Sequence, residues 1–227
     1  MNKTFLTMSK TEQLAGWIWL IIQLLFLPSM VAITSMLLHL NLSVAMLNII
    51  LFTLDFIAIV AIFHRYLLMQ IRMINLSRLL VWVPLGLLLY WTLSIAASYL
   101  VSYLQPTHIN ANNETISSFL QEQQLLITIG TVIFVPVTEE TLFRGLLFGT
   151  LYKKHPLLGY VVSVLVFAAV HVIGYIGTQD ALSLCVSLIQ YIPAGLVLSF
   201  VYMKANTLAA PILIHACLNA LATLLLR

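Results

Sequence analysis

The segment PVTEETLFRG, residues 136–145, places two carboxylates and one guanidinium inside a long apolar run. On membrane-insertion scales each charge near a helix centre costs about 2.5–3.5 kcal/mol, so three unpaired charges cost about 8–10 kcal/mol. Ionisable side chains at such a depth are by default candidates for a functional site. We therefore predict that this segment belongs to a membrane helix and that the rest of the chain folds around its charges.

The spacing of the charged residues predicts how they are paired. Glu140 and Arg144 are four positions apart, so on a helix they share one face and can neutralise each other. Arg144 could instead extend to the cytoplasmic surface. Glu139 is rotated by about 100° from Glu140 and needs a partner on another helix. Pro136 removes a helix hydrogen bond, and the resulting kink can open a polar cavity beside Glu139.

The composition is that of an integral membrane protein. Hydrophobic residues make up 62% of the 227 residues and charged residues 7%, whereas soluble domains average about 45–50% and about 25%. The net charge is +3, but no basic patch lies outside the short loops, which argues against a nucleic-acid partner. Cys185 and Cys217 lie in apolar runs without a C-x-x-C pattern, so no disulfide framework is indicated.

The apolar runs predict an all-α polytopic transmembrane bundle of about seven spans that forms a single membrane domain over residues 1–227. A polar loop is expected over 105–121, and Pro28 is expected to kink the first span. That span is too long for a signal-peptide core and should be retained. The predicted helices cover residues 15–38, 44–64, 80–104, 122–151, 157–175, 181–203 and 207–226.

Loop charges predict a cytoplasmic N-terminus. The alternate loops at 39–43, 105–121 and 176–180 contain no Lys or Arg, which fits the positive-inside rule. No repeat relates the two halves of the chain, which argues against an inverted-repeat transporter. Asp55 is the one acid within a first-half span, and it either pairs with Arg144 or faces a cavity. The basic residues that support this topology are Lys3, Lys10, Arg65, Arg72, Arg78, Lys153, Lys154 and Lys204.

Three further polar side chains are expected at the depth of Glu139. Glu139 is about 21 Å of helix from the cytoplasmic end of its span, and His171 is about as deep in the next one. His215 and Asn219 lie about 13 and about 20 Å from the start of the last span, on one of its faces. Taken singly, each of these residues could be an interhelical hydrogen-bond partner. Taken together, they predict a shared polar pocket.

Such a pocket has the groups that peptide hydrolysis needs without a serine or cysteine nucleophile. A carboxylate beside an imidazole, here Glu139 and His171, can activate a water. His215 and Asn219 can donate hydrogen bonds to a developing oxyanion. Alternatively, Glu139 and the two histidines could form a zinc site with an open position for water. The H-E-x-x-H signature is absent, and we favour the metal-free mechanism.

Three motifs in this order resemble those of the CAAX-protease and bacteriocin-processing family of intramembrane endopeptidases. The resemblance covers roughly residues 120–226, which we take as the motif-bearing catalytic core. The motifs are Glu139-Glu140-x-x-x-Arg144, Phe167-x-x-x-His171 and His215-x-x-x-Asn219.

The resemblance implies a helical membrane fold and a peptidase of the glutamic type. By position, it implies that Glu139 and His171 activate water and that His215 and Asn219 hold the oxyanion. Glu140 and Arg144 would support the site. No cofactor is implied, and zinc remains the less favoured alternative. Short chains of this kind resemble the bacterial branch, which is tied to bacteriocin processing or immunity in the cell membrane.

The sequence therefore predicts an intramembrane endopeptidase that acts on a hydrophobic or membrane-bound peptide within the lipid bilayer. A second hypothesis is a non-catalytic immunity or adaptor protein that captures a peptide in the same cavity. A transporter is the third hypothesis, and it would require a hidden repeat.

Overall fold

The computed structural model describes residues 8–226, and within that range the fold is all-α without a β-strand. The basic residue Lys3, used in the topology prediction, lies outside it. The helices, numbered in chain order, are α1 (Lys10–Leu25), α2 (Leu27–Leu37), α3 (Val44–Arg72), α4 (Leu76–Leu104), α5 (Ala111–Tyr152), α6 (Pro156–Val170), α7 (Ala181–Ala205) and α8 (Ala209–Leu225).

Five of the described segments are long and apolar enough to cross a membrane: helices α3, α4, α5 and α7, and α6 together with the turns that extend it to Tyr175. Helices α1 and α2 are bent by 56° and together form a sixth candidate, either as a broken span or as a re-entrant loop. Helix α8 is apolar but has only 17 residues. The all-α membrane fold is confirmed, with five or six candidate spans by length and composition where about seven were predicted. The side on which the N-terminus lies stays a prediction.

The first predicted span begins earlier than expected and is broken in the middle. Ser9 and Glu12 form a capping box, in which the Ser9 hydroxyl accepts from the Glu12 backbone and the Glu12 carboxylate accepts from the Ser9 backbone. Helix α1 therefore begins at Lys10, because both free N–H groups are satisfied there. Pro28 lies in the first turn of α2, where its missing N–H is tolerated. The predicted kink at Pro28 is confirmed as a break.

Helix α3 extends to Arg72 and anchors the turn that leads into α8. The Gln70 side-chain oxygen accepts a hydrogen bond from the Leu208 backbone at 2.9 Å, and the Thr207 hydroxyl donates to the Gln70 carbonyl at 3.2 Å. Both bonds are buried, so they hold the start of α8 in one place against α3. This anchor fixes the level at which His215 enters the bundle.

The predicted polar loop over 105–121 is wrong in its second half, which is helical. The Asn110 side chain accepts from the backbone of Asn113 and so caps α5, which begins at Ala111. Polar residues can form this first part because the cap satisfies the free N–H groups at the helix start. At Gln123 the backbone leaves helical geometry (φ −138°, ψ 55°), and the apolar part of α5 starts from there in a new direction.

The central part of α5 contains two π-helical segments, Gly130–Phe134 and Thr141–Phe148. Such wider turns are rare and occur mostly at functional sites. All eight residues of the second segment are buried. The charged stretch therefore passes through the middle of the bundle, between α3, α6, α7 and α8.

Small residues permit this central position. A Cβ added to Gly145 would lie 3.0 Å from Cε1 of Tyr66 on α3, so only glycine allows the two helices to approach this closely. Tyr66 itself is fully buried, and its hydroxyl is 2.9 Å from that of Tyr202 on α7. Helices α3, α5 and α7 are thereby held together at one level.

Candidate active site

Glu140 and Arg144 form an ion pair in the interior of the protein. Arg144 Nη1 donates to Glu140 Oε1 at 3.0 Å, and neither side chain is exposed to solvent. The guanidinium carbon also lies 4.3 Å from the centroid of the Phe167 ring, a cation–π contact. The predicted pairing is confirmed, and the alternative in which Arg144 reaches the cytoplasmic surface is wrong.

The same oxygen of Glu140 holds a residue of the last helix. His215 Nδ1 is 2.8 Å from Glu140 Oε1. Because Glu140 also accepts from a guanidinium, its carboxylate is the acceptor, and the hydrogen must be on Nδ1 of His215. Sequence spacing predicted the pairing of Glu140 with Arg144, and the family resemblance implied that both residues support the site. Its bond to His215 joins residues 75 positions apart, which no local pattern can reveal.

Glu139 faces the other histidine, which directly follows α6. The distance from Glu139 Oε2 to His171 Nε2 is 3.9 Å, and both side chains are partly exposed. The other ring nitrogen, Nδ1, is 2.8 Å from the Phe167 carbonyl oxygen, to which it must donate. This fixes the tautomer and leaves Nε2 without a hydrogen, as an acceptor that faces Glu139. The partner that Glu139 was predicted to need on another helix is therefore His171.

The His171 ring is also held from its other side, by Tyr191 of α7. The two rings are stacked, with centroids 4.4 Å apart and planes inclined by 27°. The Tyr191 hydroxyl donates to Asn110 Oδ1 at 3.3 Å, so the cap of α5 orients the tyrosine. Sequence analysis missed Tyr191, because one aromatic residue in an apolar helix gives no signal of its own.

Asn219 compensates for a hydrogen bond that Pro136 cannot make. In the first π-helical segment each N–H bonds to the carbonyl five residues earlier, as the Val135 N–H does to the Gly130 carbonyl. In this register the Thr131 carbonyl would accept from the N–H of residue 136. Proline has no N–H. Asn219 Nδ2 instead donates to the Thr131 carbonyl oxygen at 2.8 Å. The kink predicted at Pro136 is thus a local widening of the helix. It leaves the Thr131 carbonyl free to accept a hydrogen bond from the Asn219 amide.

A cavity of about 420 Å³ brings the four predicted catalytic side chains together. Glu139, His171, His215 and Asn219 all line it. Glu140 and Arg144 are buried behind its wall and do not line it. Sequence analysis did not single out the other polar residues that line the cavity, which are Tyr90, Ser94, Ser98, Asn110, Asn112, Asn113, Thr131, Gln190, Tyr191 and Thr223.

Asp55 lies at a second cavity of about 190 Å³, which Glu139 and His171 also line. Its Oδ1 accepts from Trp19 Nε1 at 2.7 Å. Of the two alternatives for Asp55, the one in which it faces a cavity is correct. The pairing with Arg144 is wrong, because the described partner of Arg144 is Glu140.

The histidines and acids of the site do not converge on one point. Within residues 8–226, no group of three or more His, Cys, Asp or Glu side chains is arranged to hold a metal ion. The Nδ1 atoms of the two site histidines are both engaged, one by the Glu140 carboxylate and the other by the Phe167 carbonyl.

Comparison with protein families gives one match to this region. The family described as type II CAAX prenyl endopeptidase Rce1-like matches residues 121–221. The motif-bearing part of the chain is thus similar to this family. The resemblance predicted from the three motifs is therefore confirmed over this segment. All six of the predicted site residues lie within the Rce1-like segment, which indicates a CAAX-type intramembrane protease in a lipid environment with a peptide substrate.

Neither the curated proteins nor the solved structures give a significant match to this chain.

Proposed function

We propose that this protein is an endopeptidase that cleaves a hydrophobic or membrane-associated peptide within the bilayer, with a water activated by Glu139 and His171. The observation that carries the proposal is the larger cavity, where this acid–imidazole pair and the donors His215 and Asn219 line a single space. General bases act on protons within hydrogen-bond reach, directly or through one water.

The pair suits an attacking water. A separation of 3.9 Å between Oε2 and Nε2 is too long for a direct hydrogen bond, and a solvent molecule can bond to both groups. The Glu139 carboxylate and Nε2 of His171 are both acceptors, so they orient both hydrogens of the water. One proton passes to this pair while the water oxygen bonds to the scissile carbonyl carbon.

The oxyanion that forms needs donors, and His215 becomes one only in its charged form. Its Nδ1 hydrogen is bound to Glu140, so donation from Nε2 requires an imidazolium. That state balances the charges of the site: Arg144 and His215 are positive, and Glu139 and Glu140 are negative. Burial without such balance is costly. Asn219 uses one hydrogen of its amide for the Thr131 carbonyl and has a second for the oxyanion.

Collapse of the tetrahedral intermediate completes the reaction. The carbon–nitrogen bond breaks, and the proton held by Glu139 and His171 passes to the leaving amine. The products are a new carboxylic acid, which contains the water oxygen, and a new amine. His171 can deliver this proton because its Nδ1 bond to the Phe167 carbonyl fixes the direction of Nε2.

The size of the cavity favours an extended peptide as substrate. About 420 Å³ is in the range of small-ligand sites and accommodates a few residues of an unfolded chain. Amides and hydroxyls around the cavity can bind the peptide backbone. We further propose that the protein belongs to a bacterial cell membrane and serves in bacteriocin processing or immunity.

Hydrolysis without a metal is part of the proposal. Zinc-dependent hydrolysis remains the competing mechanism, and a chelator separates the two. Cleavage that persists after chelation supports the glutamic mechanism, and cleavage that is lost and then restored by zinc contradicts it.

The test compares the peptides in membranes of cells that contain wild-type, Glu139→Gln or Glu122→Gln protein. Glu122 is an exposed acid on the same helix and serves as the matched control. We expect products in the wild-type and control cells only. The non-catalytic alternative predicts a different result. In that case no products form in any of these cells, and the Glu139→Gln protein still protects the cells from the bacteriocin, because it captures the peptide without cleaving it.

A further inference from the structure

The acid–imidazole pair separates two cavities of different character. Glu139 and His171 line both the larger cavity and the smaller one of about 190 Å³. His215 and Asn219 line only the larger. The proposed oxyanion donors thus line one of the two cavities that border the reactive pair, and Asp55 and Gln23 line the other.

The smaller cavity has hydrogen-bond acceptors in an otherwise apolar wall. Asp55 and Gln23 line it together with the reactive pair, and aliphatic and aromatic side chains form most of the remainder. The buried Oε1 of Gln23 has no donor among residues 8–226. Asp55 receives one described hydrogen bond, from Trp19 to Oδ1, although a carboxylate has about four lone-pair sites.

Such a set of acceptors calls for a small donor, and water is the smallest. An unsatisfied buried acceptor costs about 1–3 kcal/mol. A volume of about 190 Å³ is well above the roughly 10–15 Å³ that one water requires, so the cavity has room for several waters. No Lys or Arg lines this cavity among the described residues, so no cationic side chain competes with water for the Asp55 and Glu139 carboxylates there.

The reaction creates a need for such a store of water. A peptide that fills the larger cavity displaces the solvent from the side where its carbonyl meets His215 and Asn219. The water consumed in each turnover must then reach Glu139 and His171 from another direction. The smaller cavity borders both residues from behind.

We propose that the smaller cavity is the water-supply chamber of the active site and that Asp55 is a positioning residue for its water. Trp19 holds the Asp55 carboxylate through Oδ1, and the remaining lone pairs accept from water. This water hydrogen-bonds onward to Glu139 and His171. The inference rests on the proposed peptidase function, but hydration of the chamber can be measured without activity.

The first test measures hydration by thiol reactivity. In a background with Cys185→Ser and Cys217→Ser, a thiol is introduced by Val170→Cys, which lines the chamber. The control is Leu165→Cys on the same helix, which is 57% exposed and lines neither cavity. A small charged methanethiosulfonate reacts with the thiolate, which forms only in contact with water.

We expect Val170→Cys to react at least about tenfold faster than Leu165→Cys in lipid nanodiscs, because a hydrated thiol ionises and a lipid-facing one does not. Equal slow labelling of the two variants would show a dry chamber and overturn the inference. This result does not depend on whether the protein cleaves a peptide.

The second test separates water supply from peptide binding. We expect Asp55→Leu to lower kcat about tenfold with KM unchanged, and Asp55→Asn, which keeps an acceptor, to retain most of kcat. The matched variant is Ala97→Leu, which narrows the larger cavity and should raise KM. A raised KM or a shifted cleavage position in Asp55→Leu would mean that the chamber binds part of the peptide.

Failure of the inference and failure of the proposed function are distinguishable. If the wild-type protein shows no cleavage that depends on Glu139, the peptidase function is contradicted, whatever the result of the thiol labelling. Cleavage that depends on Glu139, together with a dry chamber or an unaltered kcat in Asp55→Leu, contradicts only the water-supply assignment.

Discussion

Glu139 and Glu140 are adjacent in the sequence and have opposite surroundings. Glu140 is fully buried, and one of its oxygens accepts from both Arg144 and His215. Glu139 is 22% exposed, and its nearest described ionisable partner is His171 at 3.9 Å. A rotation of about 100° between successive helix positions suffices to give one carboxylate a structural surrounding and the other a reactive one.

The comparison predicts that Glu139→Gln has the largest effect on activity and a small effect on stability. Loss of a general base typically lowers the rate about 10²–10⁴-fold. Because no described hydrogen bond to Oε2 is lost, the thermal unfolding midpoint should stay near that of the wild type. Initial rates and thermal unfolding of the purified variant check both parts. A large loss of stability would show that Glu139, like Glu140, has a structural role.

Unlike Glu139→Gln, the Glu140→Gln substitution should lower the stability of the protein strongly. It leaves the buried Arg144 guanidinium without its counter-charge, and breaking a buried pair in this way typically costs about 3–5 kcal/mol. Activity should also fall, since His215 loses the acceptor that orients it. Thermal unfolding in detergent gives the comparison. The double variant Glu140→Met/Arg144→Leu should regain most of the lost stability without regaining activity, and no regain would contradict the charge-pair account.

The oxyanion donors should contribute less than the base. Asn219→Ala removes one donor, and such a loss typically lowers kcat about 10²–10³-fold. It also leaves the Thr131 carbonyl without its side-chain partner. Asn219→Asp, which keeps the shape but offers no N–H when ionised, should be equally inactive. A variant with wild-type kcat would show that Asn219 serves only to hold the widened helix.

Tyr191 gives the smallest predicted effect and sharpens the role of His171. Tyr191→Phe retains the stacked ring and should change kcat by about twofold or less, whereas Tyr191→Leu should lower it about fivefold to tenfold, because ring stacking is worth about 0.5–1.5 kcal/mol. The two variants are compared in kcat and KM. Equal loss in both would assign the effect to the hydroxyl and its bond to Asn110.

The sequence was sufficient to predict the all-α membrane fold and the pairing of Glu140 with Arg144. Apolar length and i,i+4 spacing are local properties, and each can be read without knowledge of the fold. Approximate depth along each helix also brought His171, His215 and Asn219 near Glu139. The structure places all four side chains at one cavity, while their catalytic roles stay predictions.

Features that depend on the relative orientation of helices were not predictable. The bond between Glu140 and His215 and the stacking of Tyr191 on His171 both require a known packing angle. The helical start of α5 was missed because polarity was taken to indicate a loop, although Asn110 provides a cap. The bend between α1 and α2 left the number of spans at five or six where about seven were predicted.

The most direct test of the account follows the water oxygen. Purified wild-type protein in lipid nanodiscs is incubated with a membrane peptide in ¹⁸O-labelled water, with a chelator, and the products are analysed by mass spectrometry. We predict one ¹⁸O in the new carboxyl group for wild-type and Glu122→Gln protein and no product for Glu139→Gln. Cleavage by Glu139→Gln at the wild-type rate, or its absence in every sample, would contradict the account.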